Sequence, residues 1–190
     1  MALLTSLLIL VIVSLVAVSM YRSFGTQESI AGNTLEKQRS LQAAESALRY
    51  GEDWLSRQNK DNNTDVIFDG SCSGTYDGND PLNMRVCIGA NSKLLTPATL
   101  PWSSSITYKP PQMPVAATGN INTDSTKGTV SDVNYAKSPA LHIALLGQAY
   151  GKRLFQVTAV GYGGRESTVS VVQSVYAKSD GCYPPFDTRC

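Results

Sequence analysis

The first twenty residues, MALLTSLLILVIVSLVAVSM, contain no charged side chain. The whole chain has one histidine, His142, and its four cysteines form no Cys-x-x-Cys pair. A zinc centre built from Cys and His therefore has no donor set of familiar spacing. Lys and Arg number 16 against 15 Asp and Glu, a net charge of +1. No basic cluster offers a surface for a polyanion, so nucleic-acid binding is not expected. The motifs G-x-S-x-G, H-E-x-x-H, G-x-G-x-x-G and the P-loop are all missing. His142 sits in the apolar run Leu141–Leu146 and reads as a satisfied strand residue rather than a base. Asp61-Asn62-Asn63-Thr64-Asp65 begins like a calcium loop but lacks the sixth-position glycine and a properly spaced glutamate. Asp77 and Asp80, in a glycine-rich stretch, read as solvated turns. No repeat of 20–50 residues is present. The expectation is a non-enzymatic protein with no cofactor and no metal.

What is present begins with the apolar run itself. At about 1.5 Å rise per residue, twenty helical residues span a hydrocarbon core of about 30 Å. The hydroxyls of Thr5, Ser6, Ser14 and Ser19 can bond back to carbonyls of their own helix at small cost. Tyr21 and Arg22 mark an interface: an aromatic belt residue and a snorkelling cation. Ala17-Val18-Ser19 fits a small-x-small cleavage site. A cleaved export signal would, however, carry a basic region ahead of a shorter apolar run. A membrane helix is expected, with a charged leader already removed ahead of residue 1.

Instead of ending in a loop, the chain continues into a helix-favouring stretch. No proline occurs from Gln27 to Gln58. Ile30, Thr34, Leu41, Ala44, Leu48, Gly51 and Leu55 recur at three- and four-residue steps, and charged residues lie between them. Lys37 interrupts the stripe, so packing is expected from Leu41 onward, through Leu41, Ala44, Leu48 and Leu55, with Trp54 sealing the flank. Gly25 and Gly32 each weaken a helix by about 1 kcal/mol against Ala, which predicts a bend or local melting there. The resulting division is 1–21 for the membrane half of one helix, 22–58 for its amphipathic half and 59–190 for a globular head.

In the head, Gln58–Gly70 is polar and reads as the exit from the helix. Met84, Val86 and Ile88 alternate with polar neighbours as a short strand. Residues 90–140 hold six of the nine prolines and favour loops and short edge strands. Leu141–Leu146 suits a buried strand. Phe155, Val157 and Ala159, then Gly161-Tyr162-Gly163-Gly164, then Val169, Val171 and Val175 read as a hairpin. Two strands are marginal alone, and the helical stripe is their natural cover. The fold class is α+β, with one long N-terminal helix across an antiparallel sheet. Cys72, Cys87, Cys182 and Cys190 are an even count beyond a membrane segment, which favours disulfides in an oxidising compartment such as a periplasm. Loop-closure cost favours the local pairs Cys72–Cys87 and Cys182–Cys190 among three connectivities, with buried reduced thiols as the alternative. With the head outside the cytoplasm, the N-terminus faces in.

The run Gln27–Leu55, QESIAGNTLEKQRSLQAAESALRYGEDWL, resembles the N-terminal signature of the PilX-type minor pilins of type IV pili. The matching pieces are Glu28, Ala31-Gly32-Asn33 and Ala43-Ala44-Glu45-Ser46-Ala47-Leu48, and Phe155–Tyr176 resembles the family near its C-terminal end. The resemblance implies a pilin-like fold and a prepilin leader cut before Met1, which would then be the methylated mature N-terminus. Most pilins carry Glu at mature position 5 and a helix-kinking proline near position 22; this chain has Thr5 and Arg22. That Glu is thought to neutralise a neighbouring subunit's N-terminal amine, and Thr5 offers no carboxylate for it, which points to a tip or initiation role. The similar K-type pseudopilin of type II secretion also lacks it. The implied partners are other minor pilins, the major pilin, the inner-membrane assembly platform and a tip adhesin. The implied location is the bacterial inner membrane, then the pilus tip, in support of twitching motility and adhesion. Pilin families also use a C-terminal loop comparable to Cys182–Cys190 for subunit contacts. The rival readings are a type II secretion pseudopilin and a membrane-tethered periplasmic binding module.

Overall fold

The computed structural model describes residues 2–58, 66–90, 92–110, 113 and 135–179. Among the described residues one α-helix, α1, covers Ala2–Arg57, and seven strands follow, with a single 3-10 turn at Pro81–Asn83: β1 Phe68–Asp69, β2 Gly74–Asp77, β3 Val86–Cys87, β4 Ser104–Thr107, β5 Ala140–Ala149, β6 Lys152–Tyr162 and β7 Val169–Ser179. The chain divides into two compact units, Met1–Glu36 and Lys37–Cys190.

The first unit is helix throughout its described residues. It is the one described helix long and apolar enough to cross a membrane, and its apolar side chains are exposed within the chain. Thr5 donates to the Ala2 carbonyl at 2.9 Å, Ser6 to Leu3 at 2.9 Å and Ser14 to Leu10 at 2.8 Å. These back-bonds satisfy hydroxyls that would otherwise face lipid. The expected melting at Gly25 and Gly32 does not occur; both lie inside continuous helix. A penalty of about 1 kcal/mol at each is small against the hydrogen bonds of a helix 56 residues long.

The second unit lays the rest of α1 across the sheet. β5 is the hub: it pairs antiparallel with β6 on one side, and on the other with β4 at Leu141 and Ala140 and with β3 at Ala144. β6 pairs antiparallel with β7 over all eleven residues of each. The expected antiparallel sheet is therefore β4-β5-β6-β7, and it is extended into a mixed sheet by the parallel pairs β1–β3, β2–β4 and β3–β5. Of these, β1 and β2 are two and four residues long, too short to show a periodic pattern.

The core forms where odd-numbered residues of β5 and β6 meet α1. Leu141, Ile143, Phe155, Val157 and Ala159 are buried with Ala47, Trp54, Leu55, Met84 and Val86. Gly51 fits against Val157 and Leu141, which a Cβ would meet at 3.1 and 3.3 Å. The closest approach is at Gly161, where a Cβ would fall well under 3.0 Å from the Ser40 carbonyl oxygen and the Ala44 nitrogen. Gly161 is thus a strand residue that admits the helix, not part of the turn. The turn itself lies later, closed by Gly163 N–H to Thr168 O at 2.8 Å and Thr168 N–H to Arg165 O at 3.0 Å.

The packed stripe of α1 contains the expected Ala44, Leu48, Gly51 and Leu55 but not Leu41. Ser40, Ala43, Ala44, Ala47, Gly51, Trp54, Leu55 and Gln58 are buried, Leu48 lies at the margin, and Leu41 is 41% exposed. Leu41, expected to pack on the sheet, lies off the buried stripe. Ser40 occupies the place next to the sheet, its hydroxyl 2.6 Å from that of Ser170. On β7, Val175 is 60% exposed, since the register Phe155↔Tyr176 and Val157↔Ser174 turns even-numbered residues toward the core.

Candidate functional site

Three regions carry the sequence-predicted residues. The first is the start of α1, where the Thr5 hydroxyl is occupied by the Ala2 carbonyl and presents no charge. Met1 lies outside the described residues, as do Cys182, Cys190 and Asp61–Asp65.

The second region is the pair Cys72 and Cys87, 15 positions apart in sequence, which the fold brings together. β1 and β3 run parallel with Asp69 opposite Cys87, and the chain turns sharply after Asp69. Cys72 takes a left-handed backbone, φ 48°, and this bend brings its side chain back over β3. Both cysteines are buried free thiols. Cys72 sulfur donates to the Asp69 carbonyl at 3.3 Å and to the Ile88 carbonyl at 3.8 Å, and Cys87 sulfur donates to the Ser104 hydroxyl at 3.7 Å. Burial, reinforced by the Cys72 thiol, pushes the Cys87 thiol up to about 12, so it is a neutral SH at physiological pH. Ser71 holds the Asp69 carboxyl below the usual range through its hydroxyl and its backbone N–H.

The third region is a pocket of about 330 Å³ on the segment between β3 and β4, lined by Lys93, Leu94, Thr96, Thr99, Trp102 and Ser103 among others. Trp102 is buried, its indole N–H bonded to Pro97 O at 2.9 Å. Beneath it His142 is buried between the carbonyls of Ser104 and Ser92, at 3.1 and 2.7 Å. It serves as a strand residue with both ring nitrogens engaged.

Asp77 and Asp80 organise turns. Asp77 accepts from the backbone and side-chain amides of Asn79, and Asp80 accepts from Leu82 N–H at 3.0 Å. Among the described residues no cluster of three or more His, Cys, Asp or Glu is placed to hold a metal.

Sequence reasoning missed two seams that fix the head. Tyr50 of α1 stacks on Tyr108 at 4.1 Å and 7°, and its hydroxyl donates to Gly78 O at 2.5 Å. Burial, then the Tyr108 ring beside it, raises the Tyr50 phenol. Along β7 the contacts with α1 are polar. The Lys37 ammonium donates to Val169 O, Ser40 and Ser170 hydroxyls meet at 2.6 Å, and Ser174 donates to Glu52 at 2.6 Å. Lys178 donates to Leu55 O at 2.6 Å and Gln58 O at 2.5 Å, capping the helix C-terminus. The alternation of Ser170, Ser174 and Lys178 at steps of four was the available signal, masked by the valines between them.

Residues 1–49 match the family model described as PilX N-terminal. No curated protein and no solved structure matches the chain. The matched segment begins in the apolar part of α1 and ends within its buried stripe, and the α+β head follows it. Residues 1–49 are therefore similar to the PilX N-terminal family, which supports the reading of a PilX-type pilin.

Proposed function

We propose that this chain is a minor pilin that helps to start a type IV pilus and sits at or near its tip, with no catalytic role. The observation that carries the reading is Thr5, an uncharged side chain turned back on its own helix at 2.9 Å, inside the matched segment. A shaft subunit is repeated many times, and each copy must compensate a buried terminal amine, because an unpaired charge in an apolar core is costly. A subunit without a carboxylate at position 5 suits a place where one side of the filament ends. In this reading α1 holds the subunit in the inner membrane, with the N-terminus in and the head periplasmic, and later packs in the filament. The partners are other minor pilins, the major pilin, the inner-membrane assembly platform and a tip adhesin, and the output is motility and adhesion.

The test combines processing and placement. Mass spectrometry of the N-terminal peptide from native membranes should give a start at Met1 with one added methyl. Deletion of the gene should strip the cell of surface pili, and Thr5→Glu should increase the tagged subunit's abundance along sheared filaments. Normal piliation in the deletion strain, without a redundant homologue, overturns the initiation role. A membrane-tethered binding module is the second reading, favoured by the pocket beside Trp102. Replacing residues 1–21 with an unrelated membrane helix separates the two, since a tethered binder keeps its activity and a pilin loses assembly. A type II secretion pseudopilin would instead show its loss as a defect in protein export.

A further inference from the structure

β7 closes one side of the sheet, paired with β6 and with no other described strand. The hairpin turn tells which of its backbone groups point off the free edge. Gly163 N–H donates to Thr168 O at 2.8 Å, one step beyond the pair Tyr162↔Val169. In an antiparallel ladder such a bond flanks a pair that exchanges no bonds of its own, so Val169 turns its N–H and C=O away from β6. The Lys37 ammonium takes the Val169 carbonyl from that outer side. The register then runs without a shift to Ser179, so Val171, Gln173, Val175 and Ala177 also aim an N–H and a C=O off the edge. The outward groups of these four residues meet no backbone partner among the described residues. α1 does not supply one, since it meets the side chains of Ser170, Ser174 and Lys178 on one face of the strand.

A free edge is ordinarily guarded by proline, a bulge or outward charge. The eleven residues of β7 include no Pro and no Gly, and the ladder has no register shift. Their one charged side chain, Lys178, is buried and committed to the carbonyls of Leu55 and Gln58. Gln173, Val175 and Ala177 are exposed on the face away from α1, and the Gln173 amide is folded onto the Thr158 hydroxyl at 2.8 Å. The edge is thus long, uncharged and exposed. Its N–H and C=O groups repeat about every 6.7 Å, a row that another extended backbone matches.

The anchor decides whose backbone that is. Lys37 meets Val169 and Leu55 meets Lys178, so β7 paired antiparallel with its own copy sets the two α1 segments antiparallel as well. The two Lys37 residues then stand at opposite ends of the pair, about 30 Å apart along the strands, although both chains arrive there from one membrane. A parallel self-pair fails for another reason. Each residue of a parallel ladder bonds to the neighbours of its opposite number, so two copies of one edge cannot make equivalent bonds about a two-fold axis. We propose that the outer edge of β7 is a docking edge, filled by an uncharged extended strand from the head of a different membrane-anchored subunit. The partner's side chains beside Val171, Val175 and Ala177 are apolar or small. This rests on α1 as a membrane anchor and not on the tip or initiation role.

The first test is hydrogen exchange, read by NMR on the full chain alone in detergent micelles. The amides of Val171, Gln173, Val175 and Ala177 should exchange at least about tenfold faster than those of Val172, Ser174 and Tyr176. Uniform protection means that the chain covers its own edge or pairs with its copy, and overturns the proposal. The second test uses native membranes, with the photo-crosslinker p-benzoylphenylalanine replacing Ala177. Irradiation should link it to a peptide, identified by mass spectrometry, of another subunit that carries its own N-terminal membrane helix. Val175→Pro removes one outward N–H and leaves the bonds to β6, so it should abolish that product at an unchanged urea midpoint. If Val175→Pro lowers the midpoint, Val175→Lys takes its place by putting a charge on the same edge. A link to a second copy, a link to a protein without such a helix, no link, or a link that survives the variant overturns the docking edge. Normal piliation in a deletion strain removes the initiation role and leaves these readouts in place.

Discussion

Gly161 is the residue at which helix and sheet meet backbone to backbone. A methyl there would overlap the Ser40 carbonyl and the Ala44 nitrogen, neither of which can swing aside as a side-chain tip could. Gly161→Ala should cost at least about 1–3 kcal/mol by overpacking. Urea unfolding checks this, and an unchanged midpoint would mean that α1 does not lie where it is placed. The residue also shows how one signal carries two meanings. In sequence, Gly161-Tyr162-Gly163-Gly164 looks like turn chemistry, but a glycine in a strand equally marks the close passage of another backbone. Only the position of α1 distinguishes the two. The turn that does need unusual backbone is elsewhere, at Tyr150 and Gly151, with φ 52° and 71°, joining Ala149 to Lys152. Positive φ at both central residues gives the tight twist that a two-residue hairpin requires. A tyrosine is an unusual occupant of that position, which hid the turn from composition alone.

At the scale of elements, the helix, β3, β5 and the β6–β7 hairpin were legible because each carries an internal pattern. Met84 and Val86 alternate with Arg85 and Cys87, and Phe155, Val157 and Ala159 alternate with Gln156 and Thr158. The parallel strands β1 and β2 were not legible, since two to four residues cannot display a period and their partners are distant. The helix packs through the expected Ala44, Leu48, Gly51 and Leu55, and only Leu41 was misplaced, because it is larger and more apolar than Ser40 and draws the eye to itself. The real stripe uses small residues so that backbones can approach. β7 likewise trades apolar contacts for polar ones. Lys178 supplies a charge-assisted donor to two carbonyls at the helix C-terminus. Lys178→Met should cost about 1.5–3 kcal/mol, the range for hydrogen bonds to charged groups. Hydrogen exchange should also show faster opening over the last turn of α1. Loss of stability without that local signature would remove the capping role.

At the scale of the whole chain, the cysteines decide how the head responds to its compartment. The sequence favoured Cys72 with Cys87 on loop closure alone, and the fold sets the Cys72 sulfur 3.8 Å from the carbonyl of Ile88, the residue after Cys87. We propose that they join in an oxidising periplasm. A disulfide closing about 15 residues stabilises by about 3 kcal/mol in the chain-entropy account. Peptide mapping of protein from the native compartment without reductant should yield the two cysteines in one linked peptide lighter by two hydrogens. In the reduced form, the thiol at about 12 and its burial predict slow alkylation of Cys87 at pH 8, with rapid alkylation only on unfolding. Fast labelling of the folded reduced protein would contradict the burial. The pairing of Cys182 with Cys190 rests on sequence alone, outside the described residues.

The polar seam between α1 and β7 has a mechanical consequence. Lys37 answers to Val169, Ser40 to Ser170, Glu52 to Ser174, and Leu55 and Gln58 to Lys178, so the two elements run side by side in the same direction. Twenty-one helical steps and nine strand steps both measure about 30 Å, so the two backbones act as matched rulers pinned at both ends and in between. A pull along the helix axis therefore loads these bonds together, in shear, instead of peeling them one after another. A structure tugged along that axis would yield abruptly and late, as a lap joint does.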